Sequence, residues 1–413
     1  MSATTEHDTI AQPEPQLTAE DLIGRATALR ERLLTDQDAT DERGSYSPEM
    51  HEAFRQAGFY RTLLPRRYGG YEFDVPTFLR MIIEVARGCP GTGWNLCLAA
   101  GHGLQIGGLF NEQAQVAALS PDGEFAAPMR AVPMGTATRE SDGSWRIDGT
   151  WDYCSGSPYS THAIVAVRLV DEGKPAGLGL ALVPRAGWTL LDDWRERSFG
   201  MRGSGSNSIT IDGVVVPDYF VVVGNLLGYG NELDVPGYRL HGNPMYAGNP
   251  IGYLQLEITS VLVGCAYAAL DEYERILRTK KTPGPKGVFK VDVPTYQRYW
   301  GLAAGKINAA EDVLLRCSER FMQLCRETVE GELQTEDLMR LNASTHQAVN
   351  LLWEAVELLF RTSGTSEGGR NGSRMQRYYR DFSTARTNIG LQHETYAGIY
   401  AQQHLGVEVD QLA

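Results

Sequence analysis

Apolar residues recur at helical spacing early in the chain, at Leu22, Ala26, Leu29 and Leu33, and predict an amphipathic helix. Thr18-Ala19-Glu20-Asp21 ahead of it reads as a capping box, in which a hydroxyl and a carboxylate satisfy each other's backbone N–H groups. Ser47-Pro48-Glu49 predicts another start, an N-cap followed by proline in the first turn, leading to Met50, Phe54 and Ala57. The stretch Leu64-Pro65-Arg66-Arg67-Tyr68-Gly69-Gly70 is a break. Pro76 opens a helix through Phe78, Ile82 and Val85. After Cys89-Pro90 one more apolar helix is expected to carry Trp94, Leu96, Leu104 and Leu109, with His102 in its middle.

The period changes near Pro121. From 125 to about 223, alternation and β-branched residues predict short strands, with Asp142-Gly143 and Asp148-Gly149 as turn signals. Trp145 and Trp151 suit a sheet packed on something large. From Pro250 the helical period returns at Leu254, Ile258, Val261 and Cys265. A basic loop, Lys280 to Gly287, leads to long helices expected over 294 to about 329, 335–360 and 375 to about 405. A glycine-rich link over 364–369 divides the last two.

This order predicts an α+β, mostly α protein: a disordered tail over 1–16, a helical domain over 17–123, a β domain over 124–235 and a helical bundle over 236–413. A bundle of helices about 30 residues long buries more apolar surface than one subunit usually can, so self-association is expected. A net charge of −13 argues against nucleic acid or an anionic membrane as partner. No uninterrupted run of roughly 18 apolar residues marks a membrane span. The six cysteines, Cys89, Cys97, Cys154, Cys265, Cys317 and Cys325, form no CxxC pair and read as thiols of a cytoplasmic protein.

Common catalytic signatures are missing. There is no GxxxxGK[ST] loop and no HExxH helix, and no expected strand leads into a GxGxxG fingerprint or a GxSxG elbow. The histidines are dispersed, so no metal site is expected. What stands out is a pair of Gly/Ser-rich segments inside the strand-like region, 149–157 and 199–207. Small residues there can bring backbone N–H groups and hydroxyls close to a flat, polar ligand, although ordinary tight turns explain the same spacing.

Three motifs in order then point to a family. Gly149-Thr150-Trp151-Asp152-Tyr153-Cys154-Ser155-Gly156 resembles the flavin strand of the acyl-CoA dehydrogenase superfamily. Gly200-Met201-Arg202-Gly203-Ser204-Gly205-Ser206, with Val214-Val215-Val216-Pro217, is similar to its G-x-R-G-[ST] segment, and Met375 to Asp381 to its late helix. The resemblance covers roughly residues 18–408. It implies an N-terminal helical domain, a central β-sheet domain and a C-terminal four-helix bundle.

Within the superfamily the chain most resembles oxygenase components of two-component flavin monooxygenases. These include the p-hydroxyphenylacetate and hydroxylated-steroid hydroxylases, dibenzothiophene monooxygenase and amino-sugar nitrososynthases. The resemblance implies FMN or FAD, taken up reduced, with O2 adding at the flavin C4a position. It also implies a separate NAD(P)H flavin reductase, a small organic substrate, aromatic or amine-bearing, and a homotetramer built as a dimer of dimers. It places His102 against the substrate, Ser155 beside flavin N5 and His393 near C4a. Flavin contacts are expected from Trp94, Tyr153, Cys154, Ser155, Gly156, Arg202, Ser204, Ser206, Lys281 and Arg377.

Each residue also has a plainer reading. Ser155 is a ladder hydroxyl, His102 a satisfied core histidine, His393 the surface partner of Glu394, and Arg202 a structural ion pair. His162, expected to point out of a strand, and His241, in a loop, are the alternative histidines. A dehydrogenase instead requires a carboxylate at the substrate α-carbon. The usual offset beyond Arg380-Asp381 falls near Ile389, where there is no acid, although some dehydrogenases carry that base on another helix.

Overall fold

The computed structural model describes residues 10–119, 122–228, 234–331 and 335–407. Thr18 opens α1 (Ala19–Thr35) through the expected capping box, its side chain accepting the Asp21 N–H. The apolar stripe at Leu22, Ala26 and Leu33 is buried. A short α2 (Gln37–Arg43) follows, then α3 (Pro48–Ala57), capped by Ser47, and α4 (Val75–Gly88), capped by Asp74. Residues 1–9 of the expected tail lie outside the described residues; within 10–16, Ile10 bridges to Tyr68 and Gln12 donates to the Gly70 carbonyl at 2.6 Å, so this part is not a disordered tail.

The apolar helix predicted to run through His102 is divided into α5 (Pro90–Ala100) and α6 (Gly103–Leu109). His102 sits at the break with ψ near 0. Glycines on both sides of it weaken the helix there, and a Cβ on Gly101 would lie 2.5 Å from side chains of a later helix. The domain ends with α7 (Glu112–Leu119).

The sheet comprises β1 (Met129–Arg139), β2 (Trp145–Trp151), β3 (His162–Asp171), β4 (Lys174–Pro184), β5 (Thr189–Leu190), β6 (Ile209–Val216) and β7 (Val221–Val223). Their order is β5-β6-β2-β1-β3-β4-β7, with β1 and β3 parallel and the other neighbours antiparallel. Asp142-Gly143 is the β1–β2 turn. Asp148-Gly149 is not a turn: it lies within β2, where the register against β6 shifts between Ile147 and Gly149. Gly135 and Gly149 both lack the Cβ that would strike the Trp151 ring.

After a short α8 (Gly237–His241), α9 (Pro250–Thr279) runs through the centre of the helical bundle. Its length and apolarity pass for a membrane span, yet 89% of its most apolar window is buried inside the protein. Helices α10 (Pro294–Glu330) and α11 (Thr335–Ser363) pack on it and on each other. The long final helix expected from 375 is broken into α12 (Arg374–Ala385) and α13 (His393–Leu405). At the break the Asn388 side chain accepts the Gly390 N–H at 2.8 Å, so side chain competes with helix for that donor.

Trp151 is fully buried and donates from Nε1 to the Ala166 carbonyl at 2.9 Å, tying β2 to β3 across the sheet. Trp151→Ala is expected to cost about 3–5 kcal/mol by urea unfolding, from the cavity and the orphaned carbonyl, and Trp151→Phe distinctly less. Equal losses would place the energy in the hydrogen bond rather than the ring.

Candidate active site

Helix α5 is the element to which the other site elements are fixed. On one side it meets both Gly/Ser segments. A Cβ on Gly156 would lie 2.8 Å from the Ala99 nitrogen, and one on Gly205 would lie 2.7 Å from Asn95 Nδ2. Both glycines also have positive φ, 90° and 58°, so two separate constraints exclude other residues. The smallness of these loops therefore serves protein-to-protein packing first.

Four predicted residues converge at this contact. Trp94 Nε1 donates to Ser155 Oγ at 3.0 Å, Ser155 Oγ meets Ser206 Oγ at 2.7 Å, and Ser206 Oγ meets Ser204 Oγ at 2.6 Å. All four side chains are buried. Three hydroxyls share two oxygen–oxygen contacts, so one O–H is left over. An acceptor placed at Ser155 would point every hydroxyl the same way and use that hydrogen.

Each Gly/Ser loop is entered through a strained residue, since Tyr153 and Met201 both have φ of 54°. Tyr153 is 56% exposed, edge-on to Trp194 and beneath the Arg130 guanidinium, and Phe199 is 59% exposed. Both amide atoms of the neighbouring Asn95 on α5 are buried without protein partners. Unused hydrogen-bonding capacity and open aromatic rings beside two strained loops fit a flat ring with polar edges. Cys154 is sealed in the core, its thiol turned toward the Trp151 carbonyl and pushed up to about 12 by burial, so it offers no reactive contact.

At the other end of α5, His102 Nδ1 lies 2.7 Å from the Ala127 carbonyl, and Nε2 faces Glu257 Oε1 at 3.5 Å. His393 is elsewhere, on the first turn of α13, with Nδ1 2.9 Å from Glu394 as in the plainer reading. Its charge also reaches His346, which stacks on Tyr396 with ring centres 4.4 Å apart. His346 is fully buried with neither ring nitrogen bonded, and burial pushes it down to about 4. None of the hydrogen bonds or ion pairs described joins His102 or His393 to the serine chain. His162 turns inward to stack on Phe125, contrary to expectation, and His241 bonds Gln115. Both are pushed down to about 4 by burial.

The remaining predicted contacts have other partners. Arg377 donates to Gln37 and pairs with Asp38 and Asp41, which ties α12 to α2 and leaves no free donor face for a cofactor. Arg202 Nε donates to the Ser198 carbonyl, and Lys281 lies over the Phe289 ring. The neighbours of Arg377 explain the late motif: Asp381 accepts the Met201 N–H at 2.6 Å and Arg380 donates to the Phe199 carbonyl at 2.9 Å. Two of the sequence motifs thus hold one another.

Sequence reasoning passed over two groups. One is the buried polar set Tyr253, Gln255 and Glu257 on α9, hidden in a helix that reads as pure core. The other is an open cleft of about 460 Å³ lined by Arg275, Lys280, Arg370, Arg374, Ser366 and Ser373. Lys280 and Arg275 are held there by Glu367, at 2.9 and 3.3 Å. Its guanidinium groups suit phosphate oxygens. The signal was the glycine-rich link followed by Arg370 and Arg374. Among the described residues no cluster of His, Cys, Asp or Glu could hold a metal ion.

Comparison with known proteins agrees with this architecture. Residues 25–113 match the acyl-CoA dehydrogenase N-terminal domain and residues 256–393 its C-terminal domain. The oxygenase subunit HsaA of a flavin-dependent monooxygenase from Rhodococcus jostii is 26% identical, over 93% of this chain and 98% of that protein. The oxygenase component of an FADH(2)-dependent resorcinol hydroxylase from Rhizobium sp. is 25% identical over 96% of each. Among solved structures, HsaA from M. tuberculosis superposes with a TM-score of 0.85 at 22% identity, covering 96% of this chain and 99% of that one. XiaF from Streptomyces sp., in complex with FADH2 and glycerol, gives 0.84 at 24%, covering 95% and 98%. The fold is that of the acyl-CoA dehydrogenases. The chain belongs to that family, among its flavin-dependent monooxygenases.

The buried carboxyls of Asp41 and Asp381 are held above the ordinary 3.8 of aspartate, first by burial and, for Asp381, next by the Asp41 charge. A carboxyl that binds its proton more tightly folded than unfolded stabilises the fold at low pH and loses that contribution as pH rises through its folded pKa. Stability is therefore expected to decline from about pH 4 upward, and Asp381→Asn, which can still accept from Met201, to flatten the decline. Urea midpoints across pH test this; an unchanged slope in the variant would contradict it.

Proposed function

We propose that this chain is the oxygenase component of a two-component system, hydroxylating or N-oxygenating a small aromatic or amine-bearing molecule with reduced flavin and O2. A separate NAD(P)H flavin reductase would supply the flavin, since the sequence carries no nicotinamide fingerprint. The observation that carries the reading is the Trp94–Ser155–Ser206–Ser204 chain with its one unused hydrogen, buried beside two strained loops.

Bound reduced flavin would supply the activation of O2. The protein's part is to hold a hydroxyl hydrogen at Ser155, fixed in direction by Trp94 and Ser206, and to exclude water around it. His393, partly exposed on α13 beside Glu394, would be the proton donor that the resemblance implies. The arginine-lined cleft would take flavin phosphates from a neighbouring copy in a dimer of dimers. Outward apolar groups at Phe289 and Leu302 support such an assembly, and light scattering should report four copies.

One observation favours the dehydrogenase reading: Glu257 is a buried carboxylate on a bundle helix. Anaerobic bleaching of bound FAD by an acyl-CoA would establish that reading and remove the other.

Ser155→Ala is expected to raise the share of consumed O2 released as H2O2, and the dissociation constant for reduced flavin, each about tenfold, the effect of one hydrogen bond. Peroxide yield and anaerobic fluorescence titration measure the two. Unchanged values in both would remove Ser155 from the site.

A further inference from the structure

Away from the serine chain, two hydrogen-bonded phenols end on an imidazole. Tyr46 and Tyr60 are both buried, with hydroxyl oxygens 2.5 Å apart. The Tyr60 oxygen also lies 2.9 Å from His51 Nδ1 on α3. Two hydroxyls carry two hydrogens, and both are used in these contacts only if Tyr46 donates to Tyr60 and Tyr60 to His51. Nδ1 is then the bare nitrogen of a neutral imidazole. Burial first, and next the Arg55 charge, hold His51 below its ordinary 6.5 and keep that lone pair available. Glu124 and Glu52 act in the other direction and favour a proton there.

Tyr159 joins this chain to the site. It ends the short turn Ser157–Tyr159 that follows Ser155 and Gly156, so its Cα lies within about 14 Å of the Ser155 Cα. Its ring stacks on His51 with ring centres 4.4 Å apart, and on Tyr46 at 4.9 Å. Stacked rings pass an electron hole along, but they differ in where the hole can rest. A phenol that loses an electron becomes a strong acid and must shed its proton. Tyr159 donates to the Tyr46 carbonyl and Tyr46 to another phenol, and neither acceptor is a base. Of the three phenols, Tyr60 is the one that faces a ring nitrogen. Burial raises it well above its ordinary 10, so its proton leaves only together with an electron.

We propose that Tyr60 and His51 form a redox pair that captures one-electron holes escaping from the flavin site and releases them to reductants in solution. The oxidant is a hydroxyl radical derived from released peroxide, and the hole passes through Tyr159. The Tyr60 O–H bond breaks, its electron reduces the hydroxyl radical to hydroxide, and its proton forms an N–H bond at His51 Nδ1. Tyr46 goes on donating to the phenoxyl oxygen, and Glu124 and Glu52 offset the imidazolium charge. His51 is partly exposed. A thiolate in solution can therefore approach and return one electron, leaving as a thiyl radical, while the proton goes back to Tyr60. The source of the oxidant rests on the monooxygenase reading; the redox pair does not.

The test creates the hole from outside. Full-length protein with ruthenium tris-bipyridine and persulfate is flashed with blue light, frozen and read by electron paramagnetic resonance. The wild type is expected to hold a persistent tyrosyl signal that Tyr60→Phe and His51→Leu lose. Tyr46→Phe should keep the signal but raise its gx value, because one hydrogen bond to the phenoxyl oxygen is gone. A purely structural role would move none of these readings. In turnover with reduced FMN or FAD and O2, Tyr60→Phe is expected to keep the initial rate. Peptide mass spectrometry should then find more oxidised Trp94 and Tyr153 in it than in the wild type. A tyrosyl signal that survives Tyr60→Phe, one that ignores His51→Leu, or equal damage in the two proteins would overturn the proposal. A wild type that consumes no O2 would instead overturn the monooxygenase reading, and the tyrosyl signal would decide the pair by itself.

Discussion

The approach of α5 to the two Gly/Ser loops is the constraint on which the rest of the site depends. Backbone meets backbone there: a Cβ on Gly91 would lie 3.2 Å from Gly203 Cα, and Gly156 rests on the Ala99 peptide. Contacts this close place the Trp94 indole within reach of Ser155 and bring three serine hydroxyls into line. Just past the C-terminal end of the same helix, at the break before α6, His102 faces Glu257. One rigid element thus sets the spacing between the serine chain and the His102–Glu257 pair. Rigid elements hold such distances better than loops do.

The loops are secured from behind by α12. Asp381 holds the Met201 amide, Arg380 the Phe199 carbonyl, and Arg377 reaches α2 through Asp38 and Asp41. This explains why basic and acidic residues recur in that helix although they make no contact with the serine chain. The cost is a set of buried carboxylates close together, which arginines on the same helix offset. Electrostatic support and site geometry are therefore parts of one arrangement: weakening α12 loosens the strained turn at Met201.

Much of the fold was legible in the sequence because its signals were local. The Thr18–Asp21 box, the proline starts and the change from helical to alternating period each depend on a few adjacent residues. Failures came where a distant contact decided the outcome. Asp148-Gly149 has turn chemistry, but the Trp151 ring makes it a bulge within β2. The helix through His102 is interrupted because Gly101 must clear Tyr253 and Glu257, residues some 150 positions away in the sequence. Ser155, Ser204, Ser206 and Trp94 meet because both Gly/Ser loops pack on α5, although the resemblance had named them only as flavin contacts. Arg377 does not join them, because charge alone carries no record of its partner. Glu257 was invisible for a simpler reason: among Leu256, Ile258 and Val261 a single acid reads as a chance polar residue on a core helix.

The central claim is that this buried hydroxyl chain and its surroundings are built for dihydroflavin rather than for resident oxidised FAD. Anaerobic equilibrium titration of the flavin-free protein with reduced and oxidised FMN and FAD tests it most directly. The account predicts tighter binding of the reduced form, by at least tenfold for one of the two flavins. Tight retention of oxidised FAD, with no preference for the reduced form, would contradict it.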